Sequence, residues 1–513
     1  MDNKNIGKMD MVIRDNKDSV SKEINNKNTD RDLRKINKIK QNFSGFSTIS
    51  LIFALAFTVL FYDTRVGINY FIFTIIMAAL LVLAMKELSV PIKEATVFSY
   101  LGAILLGLST MLTSNYTLQF LNFVGSVLLF NISLLYQIDQ DRRWGLAKYS
   151  GKIFGLLFRS FASLGMPFSN SYHYFKNTKL LKNDRVRNVL VGLFLSIPLL
   201  FIVISLLSSA DILFGQLTNN FFGAIISENI VIIVLMLIFG FLASYCIICA
   251  FADTYDMEEE TRERGANSKK KADPTIGITI MVLLLGIYIL FSSIQIIYLF
   301  ANGLFVLPQE FTFAEYARRG FFELLAVTIL NIILIIISLM YFTYNKVLNY
   351  LMTGITACSY IMVASAAYRM LLYLDAYHLT FSRLLVLLFL IIDTFILAGV
   401  IISIYRRSFP LFRYCVLVTS LCYIPFSLAR PDCFIAKYHI QHTDKLEWED
   451  IYYLTDQLSI DAAPVVLPLL EERADYQEIK EEYKDRILDE VTKRDIRAFN
   501  HSIYRAAKIL RRR

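Results

Sequence analysis

The chain has 513 residues, of which 56% are hydrophobic and only 19% are charged. A soluble protein carries about a quarter charged residues and about half apolar ones, so this composition argues against a soluble globular protein. The net charge of +8 does not indicate a nucleic-acid partner, because the basic residues lie between the apolar segments, where membrane topology uses them.

Apolar runs of about 20 residues recur from Ser47 to Ser427, and a helix of that length spans the hydrocarbon core of a bilayer. The sequence therefore predicts an all-α fold, a polytopic transmembrane helical bundle with about eleven spans. Residues 1–43 are rich in Asn, Lys and Asp and predict a disordered cytoplasmic tail. The transmembrane domain is predicted over 44–429, with spans at 44–62, 66–85, 94–113, 117–136, 187–208, 228–252, 275–303, 321–344, 347–374, 380–405 and 411–429.

Lys and Arg are concentrated in the segments that this topology assigns to one side, namely the amino-terminal tail, 137–188 and 254–274. Because cytoplasmic loops carry the excess of Lys and Arg, the amino terminus is predicted to be inside. Eleven spans then place residues 430–513 outside. The abundance of Lys, Asn, Ile, Phe and Tyr indicates an AT-rich bacterial genome, so we expect a multi-pass protein of a bacterial inner membrane.

Between the fourth and fifth spans, apolar residues recur at helical spacing in 148–168, with Lys152 and Arg159 among them. The segment is too interrupted to span. It predicts a helix that lies in the cytoplasmic interface, held there by apolar burial and by anionic lipids. The other interpretation is a packed linker between two spans.

The carboxy-terminal residues 430–513 predict a small extramembrane domain of three or four helices, because apolar residues recur at steps of three and four from Ile479 to Val491. Asp461 is followed by Ala-Ala-Pro-Val and is predicted to be an N-cap with proline in the first turn of its helix. We expect an envelope protein partner to contact this domain.

The stretch FTFAEYARRGFFELL places several charges at the edge of an apolar span. Thr312 and Glu315 form the T-x-x-E pattern of a capping box, so a helix is predicted to begin at Thr312. On that helix Glu315, Arg319 and Glu323 share one face, and Arg318 lies on the adjoining stripe.

Arginines in the first turns of a helix oppose its dipole, and this placement requires anionic partners. Other charged residues are predicted on the same side of the membrane, whereas Asp393 is predicted near mid-membrane. A charge there costs about 2.5–3.5 kcal/mol on insertion scales, so Asp393 is expected to face the bundle interior. The predicted ligand-binding set is Glu315, Arg318, Arg319, Glu323, Arg369, Asp375, Arg383 and Asp393.

This set has two interpretations. In the first, its salt bridges only lock three helical hairpins at the outer surface. In the second, the arginines form a pocket for an anionic headgroup, glycan or solute, because the guanidinium fork binds carboxylate and phosphate through two contacts. We expect a non-enzymatic envelope protein that binds an anionic ligand or lipid there.

Neither a cofactor nor a metal is expected. No nucleotide-binding, serine-hydrolase or zinc-protease motif occurs, and His439 and His442 alone are too few for a metal site. Two other functions remain open. A secondary transporter would use Asp393 as a group that titrates or moves with its substrate. A membrane enzyme acting on a lipid or glycan would need a base near the arginines, with His378 or Glu323 as candidates.

The stretch FTFAEYARRGFFELLAVTILN at 311–331 resembles the E-Y-A-R-R-G-F-F-E-L signature of a bacterial membrane family known as domain of unknown function 4173, akin to domain of unknown function 4153. The segments RPDCFIAKYHIQ and LSIDAAPVVLPLL resemble that family's N-P-D-x-x-I-A-x-Y-N-I and L-S-x-D-A-x-P motifs. Arg430 and His439 stand where the family pattern has Asn. The resemblance covers 180–513 and implies a multi-pass membrane protein, with no established activity or cofactor.

Overall fold

The structure of the chain is a computed structural model. It describes 42–139, 146–177, 206–222, 228–263, 272–300, 321–377, 379–443, 446–472 and 474–511, with scattered positions between 189 and 204. Most of the predicted tail at 1–43 and of the predicted span at 187–208 therefore lies outside the described residues.

The described residues are mainly helical, and no β-strand occurs in them, which confirms the all-α prediction. These residues contain eighteen α-helices: α1 Phe43–Phe61, α2 Ile68–Glu87, α3 Glu94–Leu112, α4 Tyr116–Ile138, α5 Leu146–Ala162, α6 Met166–Asn177, α7 Ile212–Phe222, α8 Glu228–Glu263, α9 Pro274–Phe300, α10 Phe321–Tyr341, α11 Lys346–Tyr377, α12 Phe381–Tyr405, α13 Leu411–Leu428, α14 Pro431–His442, α15 Trp448–Tyr452, α16 Ala463–Glu472, α17 Gln477–Thr492 and α18 His501–Arg511.

Ten helices in the described part of the chain, α1–α4 and α8–α13, are long and apolar enough to cross a membrane. Each matches one of the eleven predicted spans. They expose large apolar side chains such as Leu101 and Phe120, and they bury polar ones such as Asn122. Helices in lipid show this distribution, because their polar side chains find partners only inside the bundle. The chain therefore has the features of a multi-pass membrane protein.

One compact unit contains α1 and α8, and its residues are Met1–Tyr62, Ala79–Pro91 and Gly155–Ala266. A Cβ on Gly240 of α8 would come within 3.0 Å of the Ala54 Cα, so the absence of a side chain at Gly240 allows α8 to approach α1 closely. Asn170 of α6 donates to the Tyr245 hydroxyl of α8 at 3.1 Å. Small residues and buried polar contacts thus join the helices of this unit.

The second compact unit contains α3, α4 and α9–α18, and its residues are Asp63–Ala78, Ile92–Phe154 and Asn267–Arg513. Within it, α3 packs along α4 and α13. The hydroxyls of Ser109 and Ser427 lie 2.6 Å apart. Asn122 Oδ1 accepts from the Ser427 hydroxyl at 2.7 Å and from the Tyr423 hydroxyl at 2.9 Å. A buried polar cluster therefore fixes α3, α4 and α13 to one another.

The carboxy-terminal helices α14–α18 surround an apolar core that includes Ile435, Val466, Ile487 and Ile503. There are five of these helices rather than three or four, because a separate five-residue helix, α15, forms between α14 and α16. The same core reaches Leu379, between α11 and α12. This core thus continues to the ends of the apolar helices. The predicted domain boundary at residue 430 stays a prediction.

Candidate functional site

The turn Thr113–Asn115, between α3 and α4, contacts the carboxy-terminal helices through buried hydrogen bonds. The carboxylate of Asp461 accepts hydrogen bonds from the Thr113 hydroxyl, from the Ser114 amide at 2.7 Å and from the Ser114 hydroxyl at 2.8 Å. The Asp461 amide donates back to the Ser114 hydroxyl at 3.1 Å. Asp461 is only 2% exposed, so these bonds replace its hydration.

The N-cap predicted at Asp461 is therefore not formed. Asp461 lies in a 3-10 turn, Ile460–Ala462, before α16 begins at Ala463. Its carboxylate is occupied by Thr113 and Ser114, which are more than 340 positions away in the sequence. A local pattern cannot reveal such a partner, because capping rules concern only the adjoining backbone.

Asp432, in the first turn of α14, also contacts the loop turn Thr113–Asn115. Its Oδ2 accepts from Asn115 Nδ2 at 2.9 Å and from the Ser459 amide at 3.1 Å. Its Oδ1 has no hydrogen-bond partner among the described residues, although the side chain is only 1% exposed. Burial raises the pKa of the Asp432 carboxyl above its ordinary value, and the neighbouring Asp461 acts in the same direction.

Asn500 completes the contacts of this turn. Its Nδ2 donates to the Thr113 carbonyl at 2.7 Å. Its Oδ1 accepts from the amides of Ser502 and Ile503 at 3.0 and 3.3 Å, so it caps the amino terminus of α18. One buried side chain thus ties α18 to the end of α3.

A second contact joins the carboxy-terminal helices to the loop Asp63–Gly67, which precedes α2. Glu490 of α17 forms ion pairs with Arg65 and Arg494, and Arg494 donates to the Val66 carbonyl at 2.8 Å. Burial acts to raise the pKa of Glu490, but the hydrogen bond and charge of Arg65 outweigh it, and the pKa is lowered. The carboxylate is therefore held in its charged form.

Gly67 shows how close this second contact is. A Cβ at this position would lie 2.5 Å from the Phe499 carbonyl oxygen, closer than real Cβ contacts. The neighbouring Ile68 amide donates to the same carbonyl at 2.8 Å. Only glycine allows the two backbones to approach to this distance.

A polar cavity of about 640 Å³ lies where the turn Thr113–Asn115, the start of α12 and the carboxy-terminal helices meet. Its volume is in the range of small-molecule sites. Its walls carry carboxylates, arginines, hydroxyls, amides and aromatic rings. The lining residues are Ser114, Asn115, Tyr116, Thr117, Thr380, Phe381, Ser382, Asp432, Tyr453, Asp456, Gln457, Leu458, Ser459, Ile460, Arg486, Glu490, Arg494 and Ile503.

The two arginines of the cavity make structural hydrogen bonds. Arg486 donates to the carbonyls of Thr455, Asp456 and Leu458, and so holds the carboxyl end of the π-helical turn Tyr453–Gln457. Arg494 donates to the Val66 and Ala498 carbonyls and pairs with Glu490. Arg494 Nε and the Ser459 hydroxyl are buried and have no partner among the described residues. Asp432 Oδ1 is likewise a buried atom without a partner among the described residues.

The structure describes only part of the predicted ligand-binding set. Glu315, Arg318 and Arg319 lie outside the described residues, as do the side chain of Asp375 and the whole of His378. Glu323 is exposed in the first turn of α10. The anion pocket predicted around these residues therefore stays a prediction.

The remaining predicted residues contact different helices. Arg369 is buried, and its Nη2 donates to Gln295 Oε1 at 3.0 Å, which joins α11 to α9. The Arg383 guanidinium lies 4.2 Å from the centre of the Tyr373 ring. Asp393 is buried midway along α12, about 15 Å from Arg383 at 1.5 Å per residue.

Asp393 has a carboxylate oxygen, Oδ2, with no hydrogen-bond partner among the described residues. Its side chain interacts with Thr328 of α10. The sequence placed this carboxylate near mid-membrane and predicted that it faces the bundle interior. Its 7% exposure confirms that it is inside.

Sequence reasoning missed Asp432 and Asp461 as site residues. A signal was present, because both acids lie in the two carboxy-terminal motifs, R-P-D and L-S-I-D, that carry the family resemblance. Their common partner, the turn Thr113–Asn115, has no motif that the sequence analysis recognised. His439, by contrast, pairs with Asp450 at 2.9 Å. In the described part of the chain, no group of three or more His, Cys, Asp or Glu residues could hold a metal ion.

A family model described as Domain of unknown function (DUF4153) matches residues 100–469. The matched segment contains the turn Thr113–Asn115 together with Asp432 and Asp461. No curated protein and no solved structure matches the chain.

Proposed function

The chain belongs to the family of Domain of unknown function DUF4153, and we propose that it is a non-enzymatic binding protein of a bacterial cell membrane. Its ligand site is the cavity between the carboxy-terminal helices and the turn Thr113–Asn115. The carrying observation is a cavity of about 640 Å³ whose lining includes the exposed Ser382 and Asp456 together with Tyr116. A cavity of this volume lined by polar and aromatic side chains is typical of a small-molecule site.

The contacts of the carboxy-terminal helices also support the predicted topology. Since these helices contact the turn Thr113–Asn115, an even number of crossings must separate the two. The described residues between them contain seven apolar helices, α4 and α8–α13. An eighth crossing is required, and the predicted span at 187–208 supplies it. We therefore keep eleven spans, a cytoplasmic amino terminus and an extracytoplasmic carboxy-terminal segment.

The topology is tested with a reporter pair active on opposite sides of the membrane, fused after Arg513. The proposal expects the signal of the outside reporter. An inside signal would place the cavity in the cytoplasm and would end the assignment of an envelope role to it.

Helix α5 supports the proposed contact with lipid on the cytoplasmic face. Phe154, Phe158 and Phe161 recur on one face of the helix and are between 63% and 73% exposed. Lys148 and Lys152 lie on the same helix. Such a helix lies in the interface, where its basic residues attract anionic lipids. Brominated anionic lipids should quench a Phe158→Trp reporter strongly; weak quenching would favour the packed linker instead.

The binding role is tested by closing the cavity. Ser382 is exposed and lines it at the start of α12, so Ser382→Trp should exclude a ligand without removing a buried contact. Small molecules released by denaturing detergent-purified protein are compared by mass spectrometry between the wild type, Ser382→Trp and Phe389→Trp. Phe389 is exposed on the same helix away from the cavity and serves as the matched control.

The proposal expects one released species that is lost in Ser382→Trp and kept in Phe389→Trp. The same set of released molecules from all three proteins would contradict it.

A secondary transporter is the second candidate, and the burial of Asp393 favours it. An intramembrane carboxylate that lacks a full set of partners is a candidate for proton or cation coupling. Asp393→Asn keeps the size of the side chain and removes its titration. A transporter would lose flux in proteoliposomes while the protein still inserts and folds, whereas a binding protein would keep its cavity ligand unchanged.

A further inference from the structure

We propose that Arg430, Lys437 and Arg505 form a site on the carboxy-terminal helices for the phosphate group of an anionic membrane lipid. The occupant is a lipid such as phosphatidylglycerol, whose headgroup carries a net negative charge, rather than a zwitterionic lipid. None of the three residues lines the cavity of the proposed function. The inference therefore goes beyond that function and does not depend on it.

The first argument is that the three cations surround one point, the half-buried thiol of Cys433. Arg430, Cys433 and Lys437 follow one another at steps of three and four residues, so they share one face of α14. Arg505 is supplied by α18. Burial raises the pKa of the Cys433 thiol, and all three cations act against this rise because each lies within electrostatic reach of it. Two helices thus bring three positive charges to the same place.

His501 joins the two helices at this place. Arginine has only donors, so Arg430 Nη2 donates to His501 Nδ1, with the two nitrogens 3.4 Å apart. Burial lowers the pKa of His501, and the charges of Arg430 and Arg505 act in the same direction. His501 is therefore a neutral acceptor at pH 7. It orients the guanidinium of Arg430 without neutralising its charge.

The second argument is that these cations have no acid of their own. None of Arg430, Lys437 and Arg505 forms an ion pair with a residue in the described part of the chain. Lys437 and Arg505 are exposed, and Arg430 is partly exposed. Asp461 also acts on the Cys433 thiol, but it is 2% exposed and its carboxylate is held by the turn Thr113–Asn115. The site therefore favours an anion from outside the chain.

The backbone of Arg430 supports a use for its side chain. Its φ of 55° lies in the left-handed region, which residues other than Gly, Asn and Asp seldom adopt. Asparagine would occupy this position at a lower cost. Arginine is thus kept there against a backbone cost, and residues held in this way concentrate at functional sites.

The third argument is the position of the site at the membrane surface. Helix α13 has 18 residues and is about 27 Å long, which corresponds to one crossing of the hydrocarbon core. Arg430 follows Leu428, the last residue of α13, by two positions and so lies within about 7 Å of its end. Asn500, directly before α18, donates to the Thr113 carbonyl at the end of α3. Both helices of the site thus begin at the level of the lipid headgroups.

Two exposed aromatic side chains lie beside the cations in the sequence. Phe434 follows Cys433 and is 55% exposed, and Tyr504 precedes Arg505 and is 54% exposed. Apolar and aromatic side chains at this level contact the boundary between headgroups and acyl chains, whereas basic ones attract anionic headgroups. This combination fits an anionic lipid better than a soluble anion, which offers nothing to the rings.

The test measures which lipid lies next to the site. Full-length protein with Phe434→Trp is reconstituted in bilayers of brominated phosphatidylcholine, which quenches tryptophan, and unbrominated phosphatidylglycerol replaces part of it. Phosphatidylglycerol that collects at the site displaces the quencher, so fluorescence recovers more than with the same fraction of unbrominated phosphatidylcholine. Protein that keeps Phe434 gives the background from Trp144 and Trp448, which is subtracted. The inference expects phosphatidylglycerol to be preferred about 10- to 100-fold, because each basic residue near an anionic headgroup contributes about fivefold.

The residues are tested with Arg430→Asn/Lys437→Gln/Arg505→Gln in the reporter protein. Asparagine is chosen at 430 because it tolerates the left-handed backbone, so the fold should be kept. The preference for phosphatidylglycerol should fall about 10- to 100-fold, to that of a neutral surface. If this variant does not fold, Lys437→Gln alone replaces it, since Lys437 is exposed, and should lower the preference about fivefold.

A matched control removes three lysines from α17 and its carboxyl end, in the variant Lys480→Gln/Lys484→Gln/Lys493→Gln. The change in net charge is the same as in the site variant. Lys484 pairs with Glu481, Lys493 pairs with Asp489, and Lys480 also interacts with Glu481. Because these lysines already have acids beside them, the control should keep the preference for phosphatidylglycerol. Raising the salt concentration from about 0.05 M to about 0.5 M should weaken the preference of the reporter protein and leave that of the site variant unchanged.

Three results would overturn the inference. One is equal recovery of fluorescence with phosphatidylglycerol and phosphatidylcholine. Another is the same preference in the site variant as in the reporter protein, or an equal loss in the site and control variants, which would show an effect of net charge alone. The third is no quenching of Phe434→Trp by any brominated lipid, which would leave the site to a soluble anion or an acidic protein. The Ser382→Trp comparison judges the cavity separately, so either proposal can fail while the other stands.

Discussion

Helices α12 and α17 distribute their side chains in opposite ways. Along α12, the large side chains of Phe389 and Phe395 are about half exposed, whereas Asp393 is buried. Along α17, Tyr483 and Ile487 are buried, and the surface is formed by charged residues such as Glu481. The two helices belong to one compact unit, so the contrast reflects two different solvents around the same unit.

The two different solvents explain why the contact between the apolar helices and the carboxy-terminal helices is polar. A helix that leaves the apolar region ends with backbone groups that need partners. At the end of α3 the Thr113 carbonyl accepts from Asn500 and from Gln119, and the Ser114 amide donates to Asp461. These buried bonds join the regions where apolar packing alone would leave polar groups unpaired.

The largest loss of stability is expected from Asp461→Ala. This substitution removes the acceptor of three hydrogen bonds and leaves the buried Ser114 amide and Thr113 hydroxyl without it. The free energy of unfolding should fall by about 3 kcal/mol, because unsatisfied buried donors cost more than the bonds themselves contribute. Thermal unfolding in detergent measures the loss. Asp456→Ala is the matched control, since Asp456 is exposed; equal losses in both variants would show that the contact at Thr113–Asn115 contributes little.

An intermediate loss is expected from Asn500→Ala. The side chain both caps α18 and donates to the Thr113 carbonyl, so its removal should cost about 1–2 kcal/mol. Hydrogen exchange should become faster in α18 and at the end of α3 together. Faster exchange in α18 alone would mean that Asn500 acts only as a cap. Its bond to the Thr113 carbonyl would then not hold α18 to the end of α3.

The smallest loss is expected from Arg65→Ala, about 0.2–1 kcal/mol, because the Arg65 side chain is 36% exposed. The pKa of Glu490 is lowered in the folded state, mainly by Arg65 acting against burial, so the pair stabilises the protein above the ordinary value of 4.5. This stability is lost as the pH falls through the folded pKa. Arg65→Ala should therefore reduce the melting temperature at pH 7 slightly and make it fall less steeply on acidification. If the melting temperature of Arg65→Ala falls as steeply on acidification as that of the wild type, the Arg65–Glu490 pair does not stabilise the contact between the loop Asp63–Gly67 and α17.

The membrane part of the fold was predictable because hydrophobicity over about 20 residues is a local signal. Each of the ten apolar helices in the described residues matches a predicted span. The buried position of Asp393 followed from the cost of charge in lipid. The sequence signal was thus strongest where the surroundings of a residue are set by its own segment.

The candidate site was not predictable, because its contacts join residues more than 300 positions apart. Asp461 followed by Ala-Ala-Pro has the local pattern of an N-cap, yet its carboxylate is used by Thr113 and Ser114. Asp432 next to Pro431 looks like an ordinary first-turn acid of a helix. Helix-end patterns alone do not distinguish these acids from helix-terminal ones, and only their place in the R-P-D and L-S-I-D motifs marks them.

The central claim is that the carboxy-terminal helices are docked on the ends of the apolar helices in the membrane. Thr64 and Asp495 test it most directly, because the Thr64 hydroxyl lies 2.9 Å from Asp495 Oδ1. The double variant Thr64→Cys/Asp495→Cys is oxidised in native membranes, with each single variant as a control for the native cysteines. A second control is Thr64→Cys/Glu481→Cys, since Glu481 lies about 13.5 Å along α17 from Glu490. The account predicts a disulfide in Thr64→Cys/Asp495→Cys alone, and no disulfide there, or equal yields in both pairs, would contradict it.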